Sequence, residues 1–431
     1  MITITPVPRA LLPVDSDSAT HLSAPNYDEF QGDEEVWEII RTNPTSVLRI
    51  TMAHCDVDTP ELIGLADSEG SLIRAVSNMD ELIESELTKE AHDVLWIYEI
   101  EDPRRPGVHQ IGLGGMARTD EIRTEATPNG VIIRNEGIHV SKARGRADLI
   151  KETQTIIGTV NNMFEDVSGL IQQALEVYAK KNAPDFEVVL DSGSHHRVWL
   201  VSEKAAIRRF QILFAQEPYA YVADGNHRSA AANMLGYEHF LAVFFPARTM
   251  GIAPYNRLVR ERTTDPDPAN FSVQTSILEE VPANQLTKVV RAKFQIKEAP
   301  GSGAYQPTET HRIGLYAAGL GWVRLQPLHG TFDPEDAAGA IDAQIVQKNL
   351  FEPFLGISDP GDGRLTYVGS NKDSSWLQKE VDEGRAAYAV TLPPVSMEEF
   401  IEVCRQNRHM PPKSTWFEPK IRSGLVMALL D

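Results

Sequence analysis

Apolar residues along this chain recur at two periods, and the two periods alternate irregularly. Short apolar runs at Ser46–Met52 and Asp93–Ile100 predict strands, and Ile111–Arg118 continues as a glycine-rich strand. Asn78–His92 instead sets Leu82, Ile83 and Leu87 at helical spacing among charged residues, the pattern of an amphipathic helix. Further on, the pattern predicts a strand at Gly130–Asn135 and helices near Ala147–Gly158 and Val167–Lys181. Hairpin strands follow at Phe186–Leu190 and His196–Val201, then a helix over Glu203–Ala215. A short apolar lead-in, Ala220 to Ala223, precedes an alanine-rich helix start, and Phe240–Phe245 reads as a strand. The last third predicts a hairpin near Arg312–Leu325 and helices near Pro334–Asn349 and Ser396–Gln406. Helices and strands alternate too irregularly for a doubly wound parallel sheet, so the expected class is α+β.

Two breaks punctuate this order. Thr263-Thr264-Asp265-Pro266-Asp267-Pro268 reads as a linker, because its prolines exclude a helix. Pro300-Gly301-Ser302-Gly303 reads as a second loop. The expected organisation is an N-terminal α+β region over 1–127, a central core over 128–262 and a C-terminal α+β region over 269–431, which contributes a basic loop to the site. At 431 residues the chain is long enough for two or three such domains.

Charge narrows the partners. Lys and Arg number 41 against 61 Asp and Glu, a formal net charge of −20. Such a surface disfavours nucleic acid, whose binding draws on many cations, but leaves room for a local basic pocket that holds a small phosphorylated ligand. The two cysteines, Cys55 and Cys404, have no CxxC spacing and read as thiols of a reducing compartment. Met1 to Asp17 lacks a basic segment followed by an apolar core, and no apolar run approaches membrane-spanning length. The expected location is therefore the cytoplasm, with no membrane partner and room for a homo-oligomer.

The richest chemistry lies at Asp224-Gly225-Asn226-His227-Arg228. An Asp-Gly turn between a strand and a helix start aims the helix's unpaired N–H groups back at the turn. His227 and Arg228 in the first helical turn complete a compact anion receptor, most naturally for phosphate. The plain alternative is a strand-turn-helix with a surface His and Arg. Arg134-Asn135-Glu136-Gly137-Ile138-His139, leading to Lys142, Arg144 and Arg146, sets one carboxylate beside several cations. That suits a general base with phosphate clamps, or a charged helix N-terminus with surface ion pairs. Lys413, Ser414, Thr415, Lys420 and Arg422 gather in one proline-bounded segment that is phosphate-friendly, or simply a solvated basic end. Pro411 and Pro412, with no glycines, exclude a P-loop there. Gly112-Leu113-Gly114-Gly115 lacks the spacing of a dinucleotide fingerprint and reads as a strand approached closely by another element. His54-Cys55-Asp56 and His195-His196 lack paired ligand spacing and are assigned structural roles; the sequence names no metal ligands.

Three segments together resemble a large bacterial and archaeal family catalogued as a domain of unknown function. Its A-D-G-H-H-R marker is matched by Ala223-Asp224-Gly225-Asn226-His227-Arg228. Its H-E-x-T…K…D-R block is matched by Asn135-Glu136, Lys142 and Arg146, and an early A-P-x-Y-D by Ala24-Pro25-Asn26-Tyr27-Asp28. Its M-P-x-K-S-T-x-F-x-P-K stretch is matched at Met410, Pro411, Lys413, Ser414, Thr415, Phe417, Pro419 and Lys420. That family looks like a distant relative of the ParB/sulfiredoxin-like fold, whose members include partition proteins that hydrolyse nucleotides and kinases of free serine. The resemblance implies phosphoryl-transfer or nucleotide-binding machinery. Asn226 and Asn135 depart from the pattern, each standing where the family carries His.

The leading expectation is a kinase-like phosphotransferase acting on a hydroxylated metabolite such as free serine. ATP, ADP or pyrophosphate would be the donor, with Mg²⁺ bridging its phosphates. Glu136 or Asp224 would take the acceptor proton. Gly225, Asn226, His227 and Arg228 would hold the phosphoryl group, and Lys142, Arg146, Lys413, Ser414, Thr415 and Lys420 would surround its oxygens. The rivals are a nucleotide-binding regulator and a catalytically silent metabolite-binding protein.

Overall fold

A computed structural model describes residues 1–260, 290–301 and 303–430. The chain is α+β and forms two compact units, Met1–Gly251 with Pro419–Asp431, and Ile252–Glu418. The expected divide at 127/128 falls inside the first unit, where strands from both sides share one sheet. The linker expected at 263–268 lies outside the described residues.

The first unit is built on a twelve-stranded mixed sheet. Its spine is the Thr88–Glu101 strand, whose first half pairs with Val7–Pro13. The second half lies between His109–Arg118 and His195–Val201. From His109–Arg118 the sheet continues through His239–Pro246, Val160–Phe164 and Ala220–Asp224 to Ile132–Ile133. Val160–Phe164 runs parallel to one neighbour and antiparallel to the other. One sheet face buries Ile97, Leu113, Phe164, Val222 and Phe244 against the helices Leu170–Lys181 and Lys204–Phe214. The glycines of His109–Arg118 are demanded by the opposite face. A Cβ on Gly114 would stand 1.9 Å from the Trp96 indole, and one on Gly112 would stand 2.5 Å from the Phe244 carbonyl oxygen. The close approach expected of this strand is therefore real.

The second unit carries a six-stranded sheet, antiparallel throughout, in the order Phe294–Glu298, Gly321–Pro327, Ile313–Ala317, Tyr388–Thr391, Asn256–Val259, Leu365–Val368. Leu258, Tyr316, Val368 and Ala389 pack there against Leu377 and Val381 of the Ser374–Asp382 helix.

Three local expectations are corrected. Ser46–Met52 is not a strand but holds the short helix Leu48–Thr51; a brief apolar run buried on several sides has no readable period, and the Ser46 hydroxyl accepts from the Leu48 N–H at its start. The helix expected over Asn78–His92 spans Glu69–Glu84, started by the Ser68 cap. After it the charged Thr88–His92 segment is drawn into the sheet by Val7–Pro13, so tertiary pairing overrides local propensity. The helix expected from Pro334 begins only at Asp342.

A candidate phosphate site at the Asp-Gly turn

The buried strand Ala220–Asp224 ends at Gly225, and the helix Asn226–Met234 begins immediately after it. Gly225 has φ +100°, a left-handed value that side chains disfavour. It meets a second demand as well. A Cβ there would stand 2.8 Å from Arg228 Nε, and a Cβ on Gly158 would stand 2.8 Å from Arg228 Cδ. The Arg228 side chain thus runs through a slot walled by two glycines, and only 11% of it is exposed.

The guanidinium in that slot is only partly engaged. Its Nη1 donates to the Asn26 carboxamide oxygen at 2.9 Å, and Nη2 lies 3.3 Å from Asp224 Oδ2. That ion pair is not aligned as a hydrogen bond: Nε, Nη2 and Asp224 Oδ2 are all buried with no hydrogen-bond partner. Lys420 Nζ approaches the same carboxylate oxygen at 3.7 Å. Two cations therefore flank one carboxylate oxygen.

Segments remote in sequence complete the wall. Asn26 donates to the Ile421 carbonyl at 2.9 Å, its backbone N–H is held by Glu29 at 2.8 Å, and its carboxamide oxygen also accepts from Ser423 Oγ at 3.0 Å. Ala24 and Ser423 pair through both backbone N–H groups. Arg146 lies 4.5 Å from the centre of the Tyr27 ring and donates to the Thr51 carbonyl at 3.2 Å. Asn26, Tyr27, Arg146, Gly158, Arg228 and Ser423 border a cavity of about 60 Å³, whose remaining wall is largely aliphatic, with Leu149, Ile156, Ile157 and Leu241. Asn26, Ser423 and Gly158 were not among the expected site residues. The Ala24–Asp28 motif match contained Asn26 and the basic segment ending at Arg422 pointed next to Ser423, whereas Gly158 had no signal.

The two Asn departures touch each other. Asn226 Nδ2 donates to Asn135 Oδ1 at 2.7 Å, while Asn226 Oδ1 is buried without a partner. His227 Nε2 accepts from the His139 backbone N–H at 3.2 Å and its ring stacks on His139 at 5.8 Å. A nitrogen that accepts this bond carries no proton, so the other nitrogen bears it in the neutral ring. Lys142 is exposed on the Val140–Thr153 helix, and Glu136 is half-buried just ahead of it. Arg134 is chemically notable: Nε and Nη2 are buried without a hydrogen-bond partner, and burial alone lowers the guanidinium's pKa.

Lys413, Ser414 and Thr415 belong to the second unit. Lys413 has φ +53°, its carbonyl accepts from Arg257 at 3.1 Å, and its ammonium lies 5.4 Å from the Tyr255 ring centre. Ser414 and Thr415 are buried, and Ser414 borders a small recess beside Asp342 and Glu399. His196, assigned a structural role, is buried under Tyr98, with Nδ1 2.7 Å from the phenol oxygen. Its neighbour His195 pairs with Glu187 at 2.7 Å.

Residues 4–350 match the family described as "Protein of unknown function (DUF1015)", and the chain belongs to it. No curated protein matches the chain. Among solved structures, a free serine kinase in complex with AMP is similar at a TM-score of 0.36 and 9% identity, over 72% of this chain and 92% of that one. A conserved hypothetical protein from Pyrococcus furiosus is similar at 0.35 and 9%, over 72% and 95%. SbnI from Staphylococcus aureus, truncated at its C-terminus, is similar at 0.35 and 10%, over 73% and 87%. Likeness at this level assigns no activity. Among the described residues no helix is long and apolar enough to cross a membrane.

Proposed function

We propose that this member of the family binds a phosphorylated small molecule at the Asp224–Arg228 turn and transfers a phosphoryl group to a hydroxylated metabolite, free serine being the first acceptor to test. We also infer that Ala220–Met234 is the phosphate turn of a ParB/sulfiredoxin-like core. One observation carries the reading. Arg228 presents two buried N–H-bearing nitrogens without hydrogen-bond partners, at a helix N-terminus, beside a cavity. Leaving charged donors buried and unbonded is costly, and a phosphate offers several oxygens that satisfy them at once.

In the proposed reaction the donor's phosphoryl group sits over the N-terminus of Asn226–Met234. Backbone N–H groups, Arg228 and Lys420 neutralise its oxygens, and Arg146 stands at the cavity edge. Phosphoryl transfer asks mainly for positioning and charge compensation, which these groups supply. For the acceptor proton the reading favours Glu136. Asp224 is already flanked by two cations, and His227 Nε2 already accepts a backbone hydrogen bond. Mg²⁺ takes one or two carboxylates and fills its remaining positions with phosphate and water. Asp224, whose Oδ2 has no aligned hydrogen-bond partner, is the residue that would hold it, and the ion would supply positive charge against the donor's phosphates.

Purified protein assayed with ATP, ADP and pyrophosphate against serine and a panel of small alcohols tests the reading. Product phosphoester, lost in Glu136→Gln and Arg228→Ala, is the expected result; absence of both donor binding and turnover overturns it. A second reading, a phospho-ligand-binding protein without turnover, is favoured by the Asn226–Asn135 pair, since neither carboxamide can carry a proton between donor and acceptor. Donor binding without turnover selects that reading.

A further inference from the structure

Away from the phosphate turn, the structure brings the sequence-distant Asp33 beside the adjacent ligand-type residues His54 and Cys55. One oxygen of Asp33, one ring nitrogen of His54 and Sγ of Cys55 all lie within 4.8 Å of one another, with His54 Nε2 3.4 Å from Asp33 Oδ1. In sequence the tempting triplet is His54-Cys55-Asp56, and on a strand those neighbours would point to opposite faces. The chain forms a 3₁₀ turn at Ala53–Cys55 instead. Successive side chains then differ by about 120° in direction, so two neighbours can flank one point.

Asp56 is spent elsewhere, its Oδ2 taking Arg49 Nε at 3.2 Å and Asn78 Nδ2 at 2.8 Å. Asp33, the first residue of the Asp33–Thr42 helix, comes in from the other side. Two hydrogen bonds brace the arrangement: Trp37 Nε1 donates to the Val57 carbonyl at 2.9 Å, and Arg74 Nε to the Ala53 carbonyl at 3.1 Å. Cys55 and His54 are buried, whereas the Asp33 side chain is half exposed.

We propose that Asp33, His54 and Cys55 bind a divalent cation of the zinc class, with water in the fourth position on the solvent side of Asp33. A tetrahedral ion bound at about 2.0–2.3 Å separates its ligands by roughly 3.3–3.8 Å. No pair of the three atoms is more than 4.8 Å apart, so closing the set to that size takes a shift of about an ångström. The mixture of sulfur, nitrogen and oxygen selects the ion: magnesium and calcium take oxygen ligands, while thiolate and imidazole suit zinc and cobalt. On binding, the Cys55 S–H bond breaks, a sulfur–metal bond forms and the proton passes to buffer, with no oxidant or reductant involved. This site is independent of the phosphate reading.

The test uses the full chain freed of metal by a chelator and titrated with Co²⁺, then Zn²⁺. Expected are one Co²⁺ per chain, a near-ultraviolet sulfur-to-cobalt charge-transfer band, visible bands of a four-coordinate ion, proton release on binding and bleaching by Zn²⁺. Cys55→Ser should remove the charge-transfer band, and Asp33→Asn should weaken binding at least about tenfold. Asp33 is half exposed, so Asp33→Asn decides the matter even where Cys55→Ser does not fold. A wild-type chain that takes up no stoichiometric cobalt overturns the proposal. So does an unchanged affinity and spectrum in Asp33→Asn.

Discussion

Arg228 in the first unit and Arg257 in the second are both buried arginines, and they are buried in opposite ways. Arg257 donates to the carbonyls of Tyr255 and Lys413 and lies 5.2 Å from the Tyr367 ring centre. Burial brings its pKa down to about 10, yet its protein surroundings occupy the group. Arg228 keeps two buried nitrogens without hydrogen-bond partners, in a slot that two glycines hold open beside a cavity. A guanidinium enclosed by carbonyls and rings braces a fold. One left short of acceptors beside a cavity is the feature on which the proposed phosphate binding rests.

The widest separation of the two roles should come from truncating each. Arg257→Ala leaves two carbonyls unpaired and a void, so it should cost about 3 kcal/mol of stability in denaturant titration. Arg228→Ala should instead leave the unfolding midpoint nearly unchanged while weakening donor binding roughly ten- to hundred-fold by calorimetry. Arg228→Lys should fall between, because an ammonium lacks the planar fork. Equal loss of stability in both alanine variants, with donor affinity intact in Arg228→Ala, would erase the distinction.

Gly225→Ala sharpens it further. The positive φ costs about 1–2 kcal/mol for a side chain, and the added methyl group also pushes on Arg228 Nε. Stability should therefore fall by that amount, and donor affinity should fall with it. Loss of stability alone would mean that the glycine serves the turn and not the arginine.

Protonation offers a second contrast between the units. Burial lowers the pKa of His196 to about 3, so the unfolded chain takes up a proton near 6.5 that the folded chain refuses. Stability is whole above pH 6.5 and declines by about 1.4 kcal/mol per pH unit as the pH falls toward 3. His311 in the second unit behaves oppositely. Its hydrogen bond to Asp342 raises its pKa, so its contribution is whole below pH 6.5 and disappears as the pH rises through the raised value. Stability measured against pH should lose its acid slope in His196→Gln and its neutral-to-alkaline slope in His311→Gln. Slopes that survive both substitutions would assign them to other groups.

The smallest expected effect concerns the Asn pair. Residues in direct contact couple, so a double-mutant cycle of Asn135→Ala and Asn226→Ala should show about 0.5–1 kcal/mol of interaction. Restoring His at both positions should be better tolerated than restoring either alone. Additive effects would mean that the two departures are unrelated.

Much of this was legible before any coordinates. The Ala220–Arg228 segment reads as strand, turn and helix because each piece is local: a short apolar run, an Asp-Gly turn, then an alanine-rich helix start. The helices Leu170–Lys181 and Met397–Arg405 and the strand His109–Arg118 were likewise found from period alone. The failures were also local in kind. Leu48–Thr51 is too short to show a period, and Thr88–His92 looks helical until Val7–Pro13 pairs with it.

Sequence by itself determined the class, the acidic composition, the strand–turn–helix around Asp224-Gly225 and the need for glycine at 225, since these depend on composition and on neighbouring residues. Only the tertiary structure decided who meets whom. It set Asn26, Gly158 and Ser423 around Arg228, joined Asn135 to Asn226, and replaced Asp56 by Asp33 beside His54 and Cys55. The physical reason is that hydrogen bonds, ion pairs and steric slots act over a few ångströms of space and are blind to distance along the chain. Which distant segments share those few ångströms is settled by sheet order and core packing, which no local pattern encodes.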